Sequence, residues 1–241
     1  TIRRPNFGNV AGVWVINDDL LRVTAPNVGL LPETARNYAA RLAYYFEPVG
    51  QLSVSFYEND VKDLLNSSEL SAEEFGYDGS QGDLSNYTFV TTSNVPGRVK
   101  IRSMEIQYSQ SLGFLGPAFR RLNVRLNYTR SYANFIKTML QPHGVNGGFD
   151  YTRGRFNIFV GANWLDDFPT SATGLTFRRH RTQTDLNCSW RFSRNYSLSA
   201  SARNLLKDPY IHLQHVLPSP ATMYQHLEIG TVFTFALKGT Y

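Results

Sequence analysis

Few residues in this chain have the types and spacing that chemistry needs. His212 and His215 stand three residues apart, and His226 follows. Two imidazoles at that spacing can share a metal ion only where the chain turns to point both rings one way. No cysteine and no dense group of carboxylates accompanies them, and ordinary solvated loop histidines are the plainer account. Arg178, Arg179, His180 and Arg181 form the one tight cationic cluster. It could draw in an anionic ligand, and it could equally face phosphates at a charged rim. No metal, cofactor or catalytic residue is assigned to either group.

Catalytic patterns are missing too. Ser103 lacks the Gly-x-Ser-x-Gly elbow that would expose a nucleophile. Gly147-Gly148 is not followed by the Lys-Ser/Thr of a phosphate loop, and Gly-x-Gly-x-x-Gly is absent. The chain therefore reads as no enzyme. The net charge of +5 comes from scattered Lys and Arg, with no recognition helix or zinc pattern, so nucleic acid is not an expected partner. Cys188 is the single cysteine and excludes an internal disulfide. The chain starts at Thr1 without a leader, which for an exported protein implies a processed chain or a fragment.

The elements that would carry any site are strands. Leu122, Val124, Leu126 and Tyr128 alternate with Asn123, Arg125, Asn127 and Thr129. Phe156, Ile158, Val160, Ala162 and Trp164 alternate with Asn157, Phe159, Gly161 and Asn163. Leu186, Cys188, Trp190 and Phe192 alternate with Asp185, Asn187, Ser189 and Arg191. A period of two gives each strand one apolar side and one polar side. Strands are expected near 35–47, 51–62, 98–112, 119–133, 146–152, 155–165, 178–192, 196–205 and 227–241. Several are long enough for the roughly 9–11 tilted residues that cross a bilayer core. Helix signals are confined to a turn or two between Val61 and Phe75.

Connection lengths alternate. Glu47–Gly50, Gly113–Ala118, Arg153–Gly154 and Ser193–Asn195 are short, and the polar segments 63–97, 134–145, 166–177 and 206–226 are long. Outer-membrane barrels pair short periplasmic turns with longer external loops. On this count the chain end falls on the short-turn side, making the C-terminus periplasmic. Aromatic residues, 14% of the chain, gather near strand ends, as in the girdles of a lipid-facing wall. A soluble β-sandwich binding module would alternate in the same way, without the segregated loop lengths. The fold class is thus all-β, an antiparallel transmembrane β-barrel.

In the last strand Phe233, Phe235, Leu237, Gly239 and Tyr241 share one side. An apolar stripe ending in a terminal aromatic resembles the assembly signal of outer-membrane proteins. That signal, with barrel-assembly machinery as its partner, is expected at Phe233, Phe235, Leu237 and Tyr241. Ala236 and Gly239 depart from the signal's usual Gly and hydrophobic positions.

Five segments, in order, resemble TonB-dependent outer-membrane receptors. Leu30-Leu31-Pro32-Glu33-Thr34-Ala35-Arg36-Asn37 resembles their "L-x-P-E-x-(S/A)-x-N". Leu52 to Asp63 resembles "vs-F-x-N-D-I-x-D" with one extra residue after Phe56. Arg98 to Glu105 resembles "R-(V/I)-x-G-x-E" with Ser103 for Gly. Arg203-Asn204-Leu205 resembles "x-N-L", and Gly230 to Tyr241 resembles the terminal "G-R-x-F…F" with Thr231 for Arg.

The resemblance implies about nine meandering strands of a barrel of about 22, with residues 1–34 the remnant of an external loop and 35–241 the wall. A plug domain and the TonB-contacting segment would lie upstream. It implies energised uptake of a small scarce nutrient of siderophore, cobalamin or oligosaccharide type. The outer membrane, with its lipid and lipopolysaccharide, would be the location, and the TonB system would act through the plug. Asn123, Arg125, Asn127, Asp185, Asn187 and Arg191 would face the polar lumen. A passive porin or small self-contained barrel is the other reading of the same alternation.

Overall fold

The computed structural model describes residues 1–135, 140–171, 173–216 and 219–239. The chain begins with β1 (Ile2–Arg3), helix α1 (Phe7–Ala11), β2 (Val15–Asn17) and β3 (Arg22–Thr24). Two long strands follow, β4 (Glu33–Phe46) and β5 (Gly50–Lys62). Next come β6 (Leu65–Leu70), α2 (Ala72–Phe75) and β7 (Thr88–Asn94). The middle holds β8 (Arg98–Ser111), β9 (Leu122–Ala133), β10 (His143–Arg153) and β11 (Phe156–Leu165). The last third holds β12 (Phe168–Pro169), β13 (Thr176–Arg178), β14 (Arg181–Trp190), β15 (Tyr196–Arg203), β16 (Tyr210–Gln214), β17 (Thr222–Leu227) and β18 (Val232–Gly239).

Ten strands form one sheet in the order β1-β4-β5-β8-β9-β10-β11-β14-β15-β18. Where register is fixed, from β9 to β18, each pair is antiparallel. The order starts at β1 and ends at β18, so the sheet is open, as a partial barrel must be. All nine expected strands are present as β4, β5, β8, β9, β10, β11, β14, β15 and β18, most within three residues of their expected ends. The tenth, β1, is a two-residue pairing of Ile2 and Arg3 with Thr34 and Glu33, too short to carry a period.

Alternation becomes two continuous sides once strands pair, because directly opposed residues point the same way. One row reads Val124, Phe149, Val160, Leu186, Ala202 and Phe233; the next reads Asn123, Asp150, Phe159, Asn187, Ser201 and Thr234. Phe159 interrupts the polar side. Its ring lies over Gly148 and Gly161, where an added Cβ would come within 2.9 and 2.7 Å of it. Glycine there leaves room for the ring.

Contacts divide the chain into two units. The first is Thr1–Tyr38, Glu58–Ile101 and Ala133–Lys137; the second is Ala39–Tyr57, Arg102–Tyr132 and Thr138–Tyr241. In the first unit, segments expected as polar loop form a small sheet, β2-β3-β7-β6, with β3 and β7 parallel. Val23, Leu84 and Phe89 are buried beneath it, with Trp14, Phe75 and Tyr77 packed against them. Burial of each such side chain stabilises by about 1.5–3 kcal/mol. The helical turn expected between Val61 and Phe75 is α2, which starts in a capping box: Ser71 Oγ accepts from the Glu74 N–H at 3.2 Å, and the Glu74 carboxylate accepts from the Ser71 N–H at 2.9 Å.

In the second unit, residues expected as long loops form another small sheet, β12-β13-β16-β17. The expected strand 227–241 is thereby split. Residues up to Leu227 belong to β17, and the wall strand β18 starts at Val232. These short strands have two to six residues, too few for a period to show.

Candidate functional site

The large sheet offers two surfaces with different chemistry. On the apolar side Leu42 is 77% exposed and Phe235 75% exposed. Large apolar areas facing water are rare in soluble monomers; facing hydrocarbon they are the stable arrangement. Phe233 and Leu237 are exposed on the same side of β18 as Phe235. Tyr241, the last residue of the expected assembly signal, lies outside the described residues.

The polar side is hydrogen-bonded to itself. Arg41 donates to Ser53 Oγ at 3.2 Å and to Gln107 Oε1 at 3.3 Å. Gln107 donates to Glu105 at 2.8 Å, and Asn127 donates to the same carboxylate oxygen. Farther along, Asn157 Nδ2 reaches Asp150 and Thr152, both at 2.8 Å. Pairing matters because an unmatched charge away from water is costly. Arg41, Gln107, Arg125, Asn127 and Asn146 border a depression of about 300 Å³. Asn123, Arg125, Asn127, Asp185 and Asn187, expected to face a lumen, all fall on this side.

A second arrangement lies on the small sheet of the second unit. Pairing puts Phe168, Arg178, His212 and Gln225 in one row across β12, β13, β16 and β17. The Arg178 guanidinium carbon is 5.3 Å from the Phe168 ring centroid and 5.0 Å from that of Tyr210. Guanidinium over an aromatic face is attractive, more so where water is excluded. Arg178 Nε is buried with no partner among the described residues. His212 Nδ1 lies 3.3 Å from the Tyr224 hydroxyl. Burial of its ring, and the Arg178 charge facing it, hold the His212 pKa below the usual histidine value. Neutral His212 therefore leaves Arg178 as the charge in a depression of about 220 Å³ bordered by Arg178, Tyr210, His212, Gln225 and Leu227.

The cationic cluster seen in the sequence is divided by the fold. Arg178 enters this depression. Arg181 stacks on Tyr210 at 4.1 Å and donates to the Asp208 carbonyl and the Tyr210 hydroxyl at 3.0 and 3.1 Å. His180 pairs with Asp167 at 3.0 Å. The three histidines also part. His215 packs on Phe177, and His226 lies 3.6 Å from Glu228. Among the described residues no three His, Cys, Asp or Glu side chains are grouped to hold a metal. Phe168, Tyr210 and Gln225 carried no signal in the sequence, because only pairing across β12, β13, β16 and β17 brings them together.

The sequence matches the family profile described as "TonB dependent receptor-like, beta-barrel" over residues 1–205. No curated protein matches it. A structure of the copper transporter OprC aligns with 100% of this chain and 37% of its own, at TM-score 0.69 and 15% identity. A mutant of the ferric enterobactin receptor PfeA from Pseudomonas aeruginosa aligns with 90% of this chain and 32% of its own, at TM-score 0.61 and 17% identity. The unliganded ferric citrate transporter FecA aligns with 86% and 31%, at TM-score 0.58 and 15% identity. At such identities the likeness is one of fold. The chain spans about a third of the length of these structures.

Proposed function

The chain belongs to the TonB-dependent receptor β-barrel family, and from that premise we propose that it forms the C-terminal wall of an outer-membrane receptor for energised uptake of a scarce nutrient. The observation that carries this reading is the two-sided sheet. Rows such as Val124 to Phe233 suit hydrocarbon, and the adjacent rows of Asn, Asp, Arg and Ser suit a wet lumen.

In this reading residues 1–34 end an external loop and 35–241 build the wall. The C-terminus is periplasmic. Phe233, Phe235, Leu237 and Tyr241 form the signal taken by the barrel-assembly machinery. A plug upstream completes the lumen and meets TonB. Ligand selection falls to the loop sheet, where Arg178, flanked by Phe168 and Tyr210, suits an anionic group beside an aromatic or apolar body. A siderophore-type ligand has that chemistry.

The test is uptake by cells carrying the full-length protein, with and without TonB, across ferric siderophores, copper, cobalamin and oligosaccharides. Saturable uptake of one nutrient that disappears without TonB is expected. Flux that is non-saturable and indifferent to TonB would instead identify a passive porin. Within that assay, Arg178→Ala should weaken ligand binding about tenfold or more, since a charge-assisted hydrogen bond contributes about 1.5–3 kcal/mol.

A further inference from the structure

We propose that the apolar side of β11, β14 and β15 holds one anionic glycerophospholipid, an acyl chain in the groove over Cys188 and Ala200 and its phosphate against Arg153 and Arg155. The proposal rests on the reading of this chain as outer-membrane wall.

The groove follows from register within the second unit. One row on the apolar side reads Tyr151, Ile158, Cys188, Ala200 and Phe235. The next row toward the short turns, about 7 Å along the strands, reads Arg153, Phe156, Trp190, Leu198 and Leu237. Cys188 and Ala200 are small and directly opposed, whereas Phe156, Trp190 and Leu198 beside them are large. The step in size leaves a depression of about 440 Å³ bordered by these five residues, and no charged side chain borders it.

The short-turn end of this groove is basic. Residues 151–157 and 189–197 contain Arg153, Arg155, Arg191 and Arg194 and no Asp or Glu. All four arginines are exposed, and none has an ion-pair partner among the described residues. Arg153 is directly opposite Phe156 and so shares the groove's side. Arg155 is fixed across the strand ends. Its Nη1 donates to the Phe192 carbonyl at 3.0 Å, and its own carbonyl accepts from the Arg191 N–H at 2.8 Å. The guanidinium is thereby held at the end of β14, with most of its five N–H donors left for a ligand. Like charges on adjoining strands repel, a cost that a bound anion removes.

Trp190, Phe192 and Tyr196 stand in a chain of rings, with successive centroids 5.7 and 6.1 Å apart. Trp and Tyr favour the membrane–water boundary. From strand middle to turn, the surface therefore runs from apolar groove to aromatic boundary to cations. A phospholipid runs in the same order, from acyl chain through glycerol to phosphate. An acyl chain alone would need no arginine, and a free phosphate would need no groove. Arginine forks suit phosphate oxygens. Short turns lie at the periplasmic end of outer-membrane barrels, so the site meets the inner leaflet, where glycerophospholipid is the available lipid.

The full-length protein, stripped of lipid by detergent exchange, is offered phosphatidylglycerol, phosphatidylethanolamine or lipopolysaccharide. Lipid retained through gel filtration is then quantified by mass spectrometry. Wild type should retain phosphatidylglycerol about tenfold more firmly than the zwitterionic phosphatidylethanolamine, a comparison that needs no variant. Arg153→Ser with Arg155→Ser should remove that preference, each basic group near an anionic headgroup contributing about several-fold. Ala200→Leu fills the groove without altering charge and should lower retention of both phospholipids. Equal retention of the two phospholipids by wild type overturns the proposal. Unchanged retention in either variant also overturns it, as does lipopolysaccharide held through the same two arginines. Wild type that is not heat-modifiable in isolated outer membranes would strike the wall reading itself. Heat-modifiable wild type without the phosphatidylglycerol preference would strike only this proposal.

Discussion

Asn204 Nδ2 donates a 2.6 Å hydrogen bond to the carbonyl of Ile229. Asn204 is 1% exposed and has φ of 58°, a left-handed conformation that asparagine tolerates better than most residues. Its own N–H donates to Asp185 Oδ1 at 3.0 Å, and its carbonyl accepts from Thr231 Oγ1 at 3.1 Å. One residue after β15 thus ties together β14 and the approach to β18. Asn204→Ala leaves the Ile229 carbonyl without this donor and should destabilise the end of the wall by about 1–3 kcal/mol. Urea unfolding of the full-length protein in lipid vesicles, followed by tryptophan fluorescence, measures this.

The two sides of the sheet should differ sharply in tolerance. Val160 sits in the apolar row, so Val160→Arg should cost about 2–4 kcal/mol if that row lies at the bilayer centre. Asn187, in the neighbouring polar row, should accept arginine with little effect. The fraction of each variant that is heat-modifiable in isolated outer membranes compares them, and equal tolerance would contradict the assignment of sides.

Gly148 should resist even alanine. A Cβ there would stand 2.5 Å from the Val160 carbonyl oxygen and 2.9 Å from the Phe159 ring. Backbone cannot yield cheaply, so Gly148→Ala should reduce assembled barrel in the same assay. Gly154→Ala meets no atom within 4 Å but keeps φ at +60°; its cost should be only about 1–2 kcal/mol.

His212 should titrate below ordinary histidine. The depressed pKa means that its contribution to stability is fully present above the unfolded pKa and is lost as pH falls through the folded pKa. Acidification should therefore loosen the small sheet that holds Arg178. Proton NMR of His212 in the full-length protein follows this. Arg178→Ala should raise the pKa only part of the way, because burial is the larger cause.

Much of this protein is legible in its sequence alone. Side-chain period depends only on neighbours along the chain. The runs at 122–129, 156–164 and 185–192 therefore declared strands, and with them an apolar and a polar side. Long polar stretches between short turns marked a wall with unequal ends. Single residues at strand ends were also visible as motif positions, Asn204 among them, though the reason for an asparagine there was not.

Tertiary pairing decided the rest. β12, β13, β16 and β17 are too short to show a period, and each is stable only against its neighbours. No local rule could place Phe168, Arg178, His212 and Gln225 in one row, or separate Arg178 from Arg181 and His212 from His215. Local sequence sets which way a side chain alternates. Which side chains meet is set by hydrogen-bond register between segments distant in the chain, and that register is chosen by the whole sheet at once.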